Sequence, residues 1–407
     1  MVMNNDLLDF ESAQALLADA AAPITRHASV PLAQATGRVL AADIIATLDL
    51  PPADNSAMDG YAIRFADYQP DVTLPIQQRV FAGDMPSPAV PGQATRLFTG
   101  SLIPDGADTI VIQENTREAD GAVQILQAPN AGEFVRKRGM DTTAGQPILA
   151  AGTRLDAAHV ALLASQGLTE VQVVEPLRIG ILTTGDELVP PGAERAPQQI
   201  YNCNGPMLSA LVQKTGAQVI HVLHARDNEP DLRAAITTIL ADCDLMLSIG
   251  GVSVGEKDLV KPVLESLGGK LALWKVRMKP GKPVALAHIQ GKPVVCLPGN
   301  PVSVYAVYTM LVSPLVRRMQ GRTDLFPPVR QAPLRLAKPH HDRREEFLRV
   351  QWQSAANGAP ELIPYPNQDS SVISSLPWAT GLARTPAGET VNDGDIVKYY
   401  DLAHWLV

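Results

Sequence analysis

Acidic side chains end three strand-like runs of the sequence and are the first candidates for chemistry. These acids are Asp186 and Glu187 in ILTTGDELV, Asp227 in HARDN, and Asp258 in VGEKD. Parallel strands bring their carboxyl ends to one edge of a sheet, where α/β proteins bind ligands. Adjacent carboxylates such as Asp186 and Glu187 can hold Mg²⁺, which binds few protein oxygens and keeps several waters. Taken alone, the Asp186–Glu187 motif is better explained as a cap of the next turn, so the predicted metal site depends on the further acids Asp227 and Asp258 at the same edge.

A glycine-rich turn joins a strand to a helix in LSIGGVSVGEKD, residues 247–258. Such a turn directs backbone N–H groups toward an anion, so it could bind a phosphate or a pterin. The positions concerned are Gly250, Gly251, Ser253 and Gly255. The spacing is not that of a P-loop and the P-loop lysine is absent, which disfavours ordinary ATPase chemistry. A tight turn in which glycine only serves the geometry remains an equal alternative.

Basic residues are concentrated in KVRMKPGKPV, residues 275–284, of an otherwise acidic chain. The basic residues are Lys275, Arg277, Lys279 and Lys282, and the Pro-Gly pair predicts a turn that would bring their charges together. The run therefore predicts a site for a compact dianion, although a solvated surface is the usual explanation of basic residues.

The segment CLPGNPVSV, residues 296–304, predicts a strand, a loop and the start of a helix. Pro298 and Pro301 bound the loop, and Ser303 with the neighbouring backbone amides offers uncharged donors for an anion. An ordinary helix start explains the same residues without a ligand.

Three segments in the first half of the chain are dense in polar loop residues: PPADNSAMDGYAI, FTGSLIPDGADTIVIQE and VRKRGMDTTAGQPI. Their functional candidates are Asp59, Thr99, Ser101, Arg136 and Asp141. Asx-turns and glycine bends explain most such residues individually, so none of them alone indicates a ligand.

The predicted secondary structure that must position these groups differs from one part of the chain to the next. Apolar residues at helical spacing predict helices over 7–22, 31–42 and 156–167. Between residues 61 and 150, short β-type runs separated by turns predict a β-rich unit inserted into this helical region.

After residue 176 the strands alternate with helices, which predicts a parallel, doubly wound α/β sheet covered on both faces. Its helices are expected over 206–216, 230–243, about 258–267 and 302–319. FPPV then marks a linker before a final β-rich segment.

The composition limits the classes of function. The 407 residues suffice for roughly two to four domains, and 46% hydrophobic against 19% charged residues is typical of a globular protein. No apolar run is long enough for a membrane span, and no secretory signal is recognisable, so a cytoplasmic location is expected. Cys203, Cys243 and Cys296 are too widely spaced to predict a zinc site or a disulfide framework. A net charge of −8 argues against a nucleic-acid partner.

Seven motifs, taken in order, resemble the MoeA family of molybdopterin molybdenumtransferases, whose relatives include the gephyrin E domain and the plant molybdenum insertase domain. The motifs are PPADNSAMDGYA, FTGSLIPDGADTIVIQE, RGMDTTAG, TTGDEL, SIGGVSVGEKD, KVRMKPGKP and LPGNPVS. The resemblance runs from about residue 7 to beyond residue 350. Glu256 in the glycine loop and YNCN before the first α/β helix depart from the commoner pattern.

The resemblance implies a multidomain α/β plus β fold with four domains. They are a helical domain in two segments (1–50 and 142–176), an inserted β-rich domain (51–141), a doubly wound MogA-like α/β molybdopterin-binding domain (177–326) and a C-terminal β-barrel (327–407). It also implies a homodimer whose cleft lies between the α/β domain of one subunit and the other domains of its partner. Docking with a molybdopterin adenylyltransferase and with molybdoenzyme chaperones is left open.

The implied activity is insertion of molybdenum from molybdate into adenylylated molybdopterin (molybdopterin-AMP), with release of AMP and with Mg²⁺ present. By motif position, Asp186 and Glu187 match metal ligands. The catalytic matches are Asp59, Thr99, Asp141, Asp227, Asp258, Lys275 and Lys279. The substrate-binding matches are Gly250, Gly251, Ser253, Gly255, Lys282, Pro298, Pro301, Ser303, Arg344 and Ser371, with Ser370 the alternative to the last.

Two other functions remain open at this point. A MogA-type molybdopterin adenylyltransferase would share the α/β domain, but the motifs outside that domain argue against it. A non-catalytic scaffolding protein of the gephyrin type would keep the dimer and lose catalysis, and the intact acidic and lysine motifs argue against that.

Overall fold

The computed structural model describes residues 7–251 and 259–407, and the chain forms two compact units. The first contains the chain up to Ala42, Ala151–Ala161 and Thr169–Val407, and the second contains Asp43–Ala150 and Leu162–Leu168. The boundaries of the four predicted domains stay predictions. Among the described residues, no helix is long and apolar enough to cross a membrane.

The helices and strands of the described residues are numbered in chain order. The helices are α1 (Phe10–Ala18), α2 (Ala157–Ser165), α3 (Asn204–Lys214), α4 (Glu229–Asp242), α5 (Val260–Ser266), α6 (Pro301–Val307), α7 (Ser313–Met319), α8 (Ser375–Trp378) and α9 (Leu402–Trp405). The first fourteen strands are β1 (His27–Pro31), β2 (Ile44–Ile45), β3 (Asn55–Ser56), β4 (Gly60–Ile63), β5 (Thr73–Val80), β6 (Ala94–Leu97), β7 (Thr109–Ile112), β8 (Thr116–Ala119), β9 (Ala122–Ile125), β10 (Val135–Arg136), β11 (Pro147–Leu149), β12 (Glu170–Val174), β13 (Arg178–Thr184) and β14 (Leu188–Val189). The remaining strands are β15 (Ile200–Tyr201), β16 (Gln218–Ala225), β17 (Leu245–Ile249), β18 (Lys270–Lys275), β19 (Met278–Lys279), β20 (Pro283–Ile289), β21 (Lys292–Leu297), β22 (Arg330–Pro333), β23 (His340–His341), β24 (Glu345–Ser354), β25 (Pro360–Pro364), β26 (Gly381–Thr385), β27 (Thr390–Val391) and β28 (Ile396–Asp401).

The first unit is built around a six-stranded sheet with the order β16-β13-β17-β21-β20-β18. The first four strands run parallel, as predicted. The sheet also has a part that the sequence did not predict, because β20 runs antiparallel to both β21 and β18. Gln290 and Gly291 connect β20 to β21 with φ of 53° and 77°. Positive φ at both positions is typical of a two-residue hairpin turn, which can join only antiparallel strands.

Side chains of the central strands alternate between two cores. Ile181 and Leu247 pack with residues of α1, α3, α6 and α7 on one face of the sheet. Leu182 and Met246 pack with α4 and α5 on the other face. The predicted doubly wound α/β architecture is therefore confirmed.

The helix predicted over 302–319 is interrupted by a π-helical turn at Tyr308–Val312, between α6 and α7. Pro314 lacks the N–H that an α-helix would direct at the carbonyl of Met310. The side-chain amide of Gln14 donates a 2.7 Å hydrogen bond to that carbonyl instead. Because Gln14 lies on α1, this bond also ties the N-terminal helix to the α/β core.

The prediction of a second N-terminal helix over 31–42 is wrong. Only Leu32–Gln34 forms a 3₁₀ turn, and β1 before it pairs antiparallel with β12. Gly37 adopts a φ of 81°, which an α-helix excludes, and Val39 beyond it bridges Arg154. The N-terminal region therefore has less helix than the sequence pattern predicted.

The second unit contains a six-stranded sheet with the order β7-β4-β6-β5-β9-β8, which confirms the predicted β-rich region. Its strands enclose an apolar cluster that includes Tyr61, Val111 and Val123. Gly60 lies so close to β7 that a Cβ there would be 2.2 Å from the carbonyl oxygen of Val111. Because β4 and β7 approach so closely at Gly60, the position of Asp59, the residue immediately before β4, is fixed relative to the sheet.

The C-terminal segment forms a sheet with the order β19-β24-β26-β28-β22, and β25 pairs with β24. The predicted β-rich segment is confirmed, whereas the predicted closed barrel is not. The short strand β19 belongs to the basic KPGKP turn, and Met278 and Lys279 pair with Glu345 and Glu346 of β24. Through β19, the basic turn is therefore part of the C-terminal sheet.

Candidate functional site

The carboxyl ends of the parallel strands open into a cavity of about 710 Å³ in the first unit. Its wall includes Asp227 after β16, Glu187 after β13, Gly250 after β17 and Pro301 after β21. The cavity therefore lies at the edge of the sheet where the topology predicts a ligand. We refer to it as the strand-end cavity.

Asp227 is held at the strand-end cavity by its neighbours on β13. Its Oδ1 accepts a 2.6 Å hydrogen bond from Thr184 Oγ1, and its Oδ2 accepts the backbone N–H of Asp186 at 3.3 Å. The exposed Asp186 accepts the backbone N–H of Asp227 at 3.2 Å in return, and it does not line the cavity. The two acids thus stabilise each other's loops, and only Asp227 faces the cavity.

Glu187 is the second carboxylate on the cavity wall. The Glu187 carboxylate is folded back over Gly185, where a Cβ would lie 2.5 Å from Oε2, and the φ of 145° favours glycine at that position. No hydrogen bond to this carboxylate is found among the described residues. Carboxylate oxygens suit Mg²⁺, which needs few protein ligands. The residues fit such an ion, although the described parts of the chain hold no cluster of three or more metal-ligating side chains.

Gly250 and Gly251 bring backbone close to the cavity after β17. Both have positive φ, 93° and 64°. A Cβ on Gly250 would be 2.9 Å from the carbonyl oxygen of Thr184, and one on Gly251 would be 2.4 Å from Val260 Cγ2. Side chains are therefore excluded at both positions. Three further predicted site residues of this loop lie outside the described residues: Ser253, Gly255 and Asp258.

Two helices begin at the strand-end cavity, α3 at Asn204 and α6 at Pro301. In the first turn of α3 the N–H of Gly205 donates to Asn202 Oδ1 at 3.0 Å, whereas no side chain caps α6. Asn300, which precedes α6, donates to Ser370 Oγ at 2.8 Å instead of capping the helix. Asn204 is only 8% exposed, and its Nδ2 donates to the carbonyl of Gly299 at 2.6 Å. Uncapped N–H groups and the helix dipole favour an anion at such an end. The sequence flagged YNCN as unusual but did not predict a role for Asn204.

Lys279 faces a different cavity, of about 630 Å³, which lies against the C-terminal sheet and which we call the lysine cavity. Its Nζ donates to Asp342 Oδ2 at 2.8 Å and to Glu346 Oε2 at 3.1 Å. Burial disfavours the charged ammonium, but these two bonds outweigh burial and raise the pKa of Lys279. The ammonium is therefore charged and fixed in position.

Asp342 also holds Arg344, the other predicted cation of the C-terminal segment. Its Oδ1 accepts the backbone N–H of Arg344 at 2.9 Å and lies 3.5 Å from Arg344 Nε. His340 Nε2 lies 2.9 Å from Glu346 Oε2, but out of line for a hydrogen bond. Asp342 and Glu346 were missed from the sequence, where DRREEF offered only a run of mixed charges.

A short segment of the chain connects the two cavities. Ser371 lines the strand-end cavity and its hydroxyl donates a 2.6 Å hydrogen bond to Asp369, which lines the lysine cavity. Ser370 binds Asn300 in the same stretch. Among the described residues of the first unit, the predicted site residues that line neither cavity are Asp186, Lys275, Lys282, Pro298, Ser303, Arg344 and Ser370, the alternative to Ser371.

Asp59 and Thr99 lie together in the second unit. Asp59 Oδ1 accepts the backbone N–H of Thr99 at 2.7 Å and its hydroxyl at 2.8 Å. These two bonds lower the pKa of Asp59, the backbone bond more than the hydroxyl bond. The exposed Asp141 lies on another loop, where its N–H donates to the carbonyl of Leu50 at 2.9 Å. The predicted approach of these loops to a partner subunit stays a prediction.

Three family models match consecutive parts of the chain. They are the MoeA N-terminal region (domain I and II) at residues 8–167, the probable molybdopterin binding domain at 180–318, and the MoeA C-terminal region (domain IV) at 331–402. A molybdopterin molybdenumtransferase of Nostoc sp. is 38% identical over 374 residues, which cover 89% of this chain and 85% of that protein. The chain belongs to the MoeA family.

Other relatives of this MoeA-family protein agree with that placement. Molybdopterin molybdenumtransferase 2 of Mycobacterium tuberculosis is 36% identical over 373 residues, covering 89% of this chain and 91% of that one. The crystal structure of a molybdopterin biosynthesis MoeA protein from Pyrococcus horikoshii superimposes with a TM-score of 0.84 at 28% identity, covering 97% of this chain and 100% of the other. The resemblance noted in the sequence is thus confirmed over nearly the whole chain.

Proposed function

We propose that this MoeA-family protein is a molybdopterin molybdenumtransferase, which inserts molybdenum from molybdate into adenylylated molybdopterin and releases AMP. The relatives from Nostoc and M. tuberculosis carry that name. The observation that carries the proposal is the segment 369–371, which joins a cavity with acids and glycine backbone to one with a fixed ammonium. A reaction between an anionic nucleotide and a metal oxyanion needs a site for each reactant, and the two sites must be adjacent.

The strand-end cavity is the place for the adenylylated pterin. The start of α6, which no side chain caps, directs the backbone N–H groups that follow Pro301 and a helix dipole end toward an anion. Gly250 admits the ligand close to the backbone because no side chain fits there. Mg²⁺, when held by Glu187 and Asp227, would polarise the phosphoanhydride and stabilise the leaving AMP.

The lysine cavity is the place for molybdate. A dianion requires positive charge, and Lys279 supplies an ammonium already fixed by Asp342 and Glu346. Asp342 also restrains Arg344, and the exposed Lys282 lies three residues further along the same turn, but neither of these cations lines the cavity. The ammonium of Lys279 holds the oxyanion while two dithiolene sulfurs replace one oxo ligand of molybdenum, and that oxygen leaves as water with the two thiol protons.

The test is molybdate-dependent release of AMP from adenylylated molybdopterin. Asp227→Asn should lower turnover by about 10²-fold and weaken the Mg²⁺ dependence, because the cavity then has one carboxylate in place of two. Asp242→Asn, at an exposed position of α4, is the matched control and should behave as wild type. Full activity of Asp227→Asn would contradict the assignment of this cavity.

Two further assays separate the proposal from the other functions that the sequence left open. Formation of adenylylated product from ATP and free molybdopterin would indicate an adenylyltransferase. Failure to restore molybdoenzyme activity to an insertase-deficient cell would indicate a scaffolding protein. The Mg²⁺ requirement, the homodimer, the cytoplasmic location and docking with an adenylyltransferase or molybdoenzyme chaperones belong to the same proposal and depend on the family resemblance.

A further inference from the structure

A groove of about 480 Å³ lies on the first unit and shares no lining residue with either cavity described above. It is formed by the turn at Thr36–Arg38, by Arg154, and by the chain from the end of α3 to the start of β16. Two of its lining residues are arginines, in a protein of net charge −8. The groove is therefore a local concentration of positive charge.

The two arginines are half-buried and lack a direct counter-ion. No hydrogen bond or ion pair of the Arg38 guanidinium is found among the described residues. Arg154 Nε is buried and has no hydrogen-bond partner in that same part of the chain. Burial, and then the charge of Arg322, lower the pKa of Arg154, against the weaker opposite influence of Asp324 and Asp156.

The nearest carboxylates are already bound to other groups. Glu175, beside the groove, pairs with Arg26 at 3.2 Å. Asp324 accepts hydrogen bonds from Arg317 at 2.8 Å and from Arg322 at 2.6 Å. Partial burial of unpaired guanidinium groups costs free energy, and an anion bound between them would offset that cost.

The side chains that line the groove indicate which class of anion it would bind. A guanidinium presents its N–H donors in a planar fork that matches two oxygens of a phosphate-like group. Gly37 lies beside Arg154 in this groove, since a Cβ there would be in ordinary contact with Arg154 Nη2, at 3.6 Å. Thr36, Gln213 and Gln218 also line the groove and provide uncharged hydrogen-bonding groups.

We propose that this groove binds a tetrahedral oxyanion of the phosphate class between Arg38 and Arg154. The site is separate from the proposed reaction and does not depend on it. The anion could be free or the phosphate of an ester, because both present the same oxygens to the two guanidinium groups.

The proposal is tested by titration calorimetry of the full chain at constant ionic strength, with inorganic phosphate in one arm and ribose 5-phosphate in the other. Arg38→Gln and Arg154→Gln should each remove one binding site or weaken it at least fivefold. Arg117→Gln, at an exposed arginine of β8, and Lys279→Gln, in the lysine cavity, should retain it. Binding in the phosphate arm alone would identify a free anion, and binding in both arms would identify a monoester site.

Thermal unfolding without phosphate provides the second measurement. Arg38→Gln should unfold at the wild-type temperature or above it, because the substitution removes an uncompensated charge. Phosphate should raise the unfolding temperature of wild type more than that of this variant. Equal phosphate affinity in wild type and both arginine variants would overturn the proposal, as would the absence of phosphate binding to wild type.

Discussion

The ammonium of Lys279 lies 2.8 Å from Asp342 Oδ2, and this ion pair ties the basic KPGKP turn to the C-terminal sheet. The same ammonium reaches Glu346, a carboxylate only 2% exposed. Lys279 thus has two roles: it balances buried negative charge, and it supplies the positive charge proposed for molybdate. The two roles can be separated by experiment.

The first prediction concerns Lys279→Gln, which leaves Glu346 without its cation. We expect a loss of about 1–2 kcal/mol in the free energy of unfolding, because a buried carboxylate is then unpaired in a partly solvated site. Turnover of molybdate should fall at the same time. Urea unfolding and the AMP-release assay measure the two effects.

The matched variant is Lys279→Gln combined with Glu346→Gln, in which residues 279 and 346 are both neutral and can still form a hydrogen bond, while Asp342 keeps Arg344 as a cation. It should regain most of the lost stability, because no buried charge remains, but it should not regain turnover. Recovery of turnover in the double variant would show that Lys279 acts only as a structural counter-ion.

The second prediction concerns Asp59 and Thr99. Because the backbone N–H and the hydroxyl of Thr99 lower the pKa of Asp59, the carboxylate stays ionised to a lower pH than an ordinary aspartate. Thr99→Val removes the hydroxyl donor and keeps the backbone donor. If catalysis needs the ionised form, the acid limb of the pH–rate profile should shift to higher pH in this variant.

Thr99→Ser keeps both donors and should retain the wild-type profile, whereas Asp59→Asn should lower turnover at every pH. Asp105→Asn, at an exposed loop position of the same unit, tests for a general effect of lost charge. An unchanged acid limb in Thr99→Val would mean that Asp59 does not govern the pH dependence.

Much of the fold could be predicted because local patterns decide it. The apolar runs of β13 and β17 predicted a buried parallel core, and the helices α3 and α4 begin and end within a few residues of their predicted limits. The antiparallel strand β20 was not predicted, because its direction depends on a two-residue turn at Gln290. The interruption of the long helix was missed too, since the amide that satisfies Met310 comes from Gln14, almost 300 residues away in sequence.

The candidate site was only partly predictable for a related reason. Strand topology correctly brought Glu187, Asp227 and Gly250 to one cavity. Spacing alone could not show that Lys279 faces a separate cavity, because its position depends on the pairing of β19 with a strand more than 60 residues further along. Partners such as Asp342 are fixed by that tertiary pairing, not by a local motif.

The third prediction compares two glycines that share a left-handed backbone. Gly250 has a φ of 93° and little space, with Thr184 O 2.9 Å from a built Cβ, whereas Gly268 has a φ of 84° and no atom within 4 Å. Alanine at either position should lower the free energy of unfolding by about 1–3 kcal/mol, because the left-handed backbone is strained for any residue with a Cβ. Only Gly250→Ala should also displace Thr184 and lower turnover, by about 10- to 100-fold. Equal turnover of the two variants would exclude a close-approach role for Gly250.

The last prediction concerns the pH dependence of stability and the ion pair between Asp244 and Arg26. Arg26 donates to Asp244 at 3.0 and 2.6 Å, and Arg178 N–H donates at 2.8 Å. Burial alone would raise the pKa of Asp244, but these bonds outweigh it and lower the pKa. The folded state therefore binds the proton less readily than the unfolded state, where the pKa is about 3.9.

The sign of the effect follows from that difference. The Asp244 carboxylate contributes its full stabilisation above pH of about 4, and this contribution is lost as the pH falls through the lowered pKa of the folded state. Asp244→Asn should therefore reduce the free energy of unfolding by about 1–3 kcal/mol at pH 7, and by progressively less below pH 4. Asp19→Asn, whose side chain is 73% exposed, should change stability little at either pH. If Asp244→Asn lowers the free energy of unfolding by the same amount at every pH, Asp244 stabilises the fold through its shape and hydrogen bonds alone. The negative charge would then make no contribution.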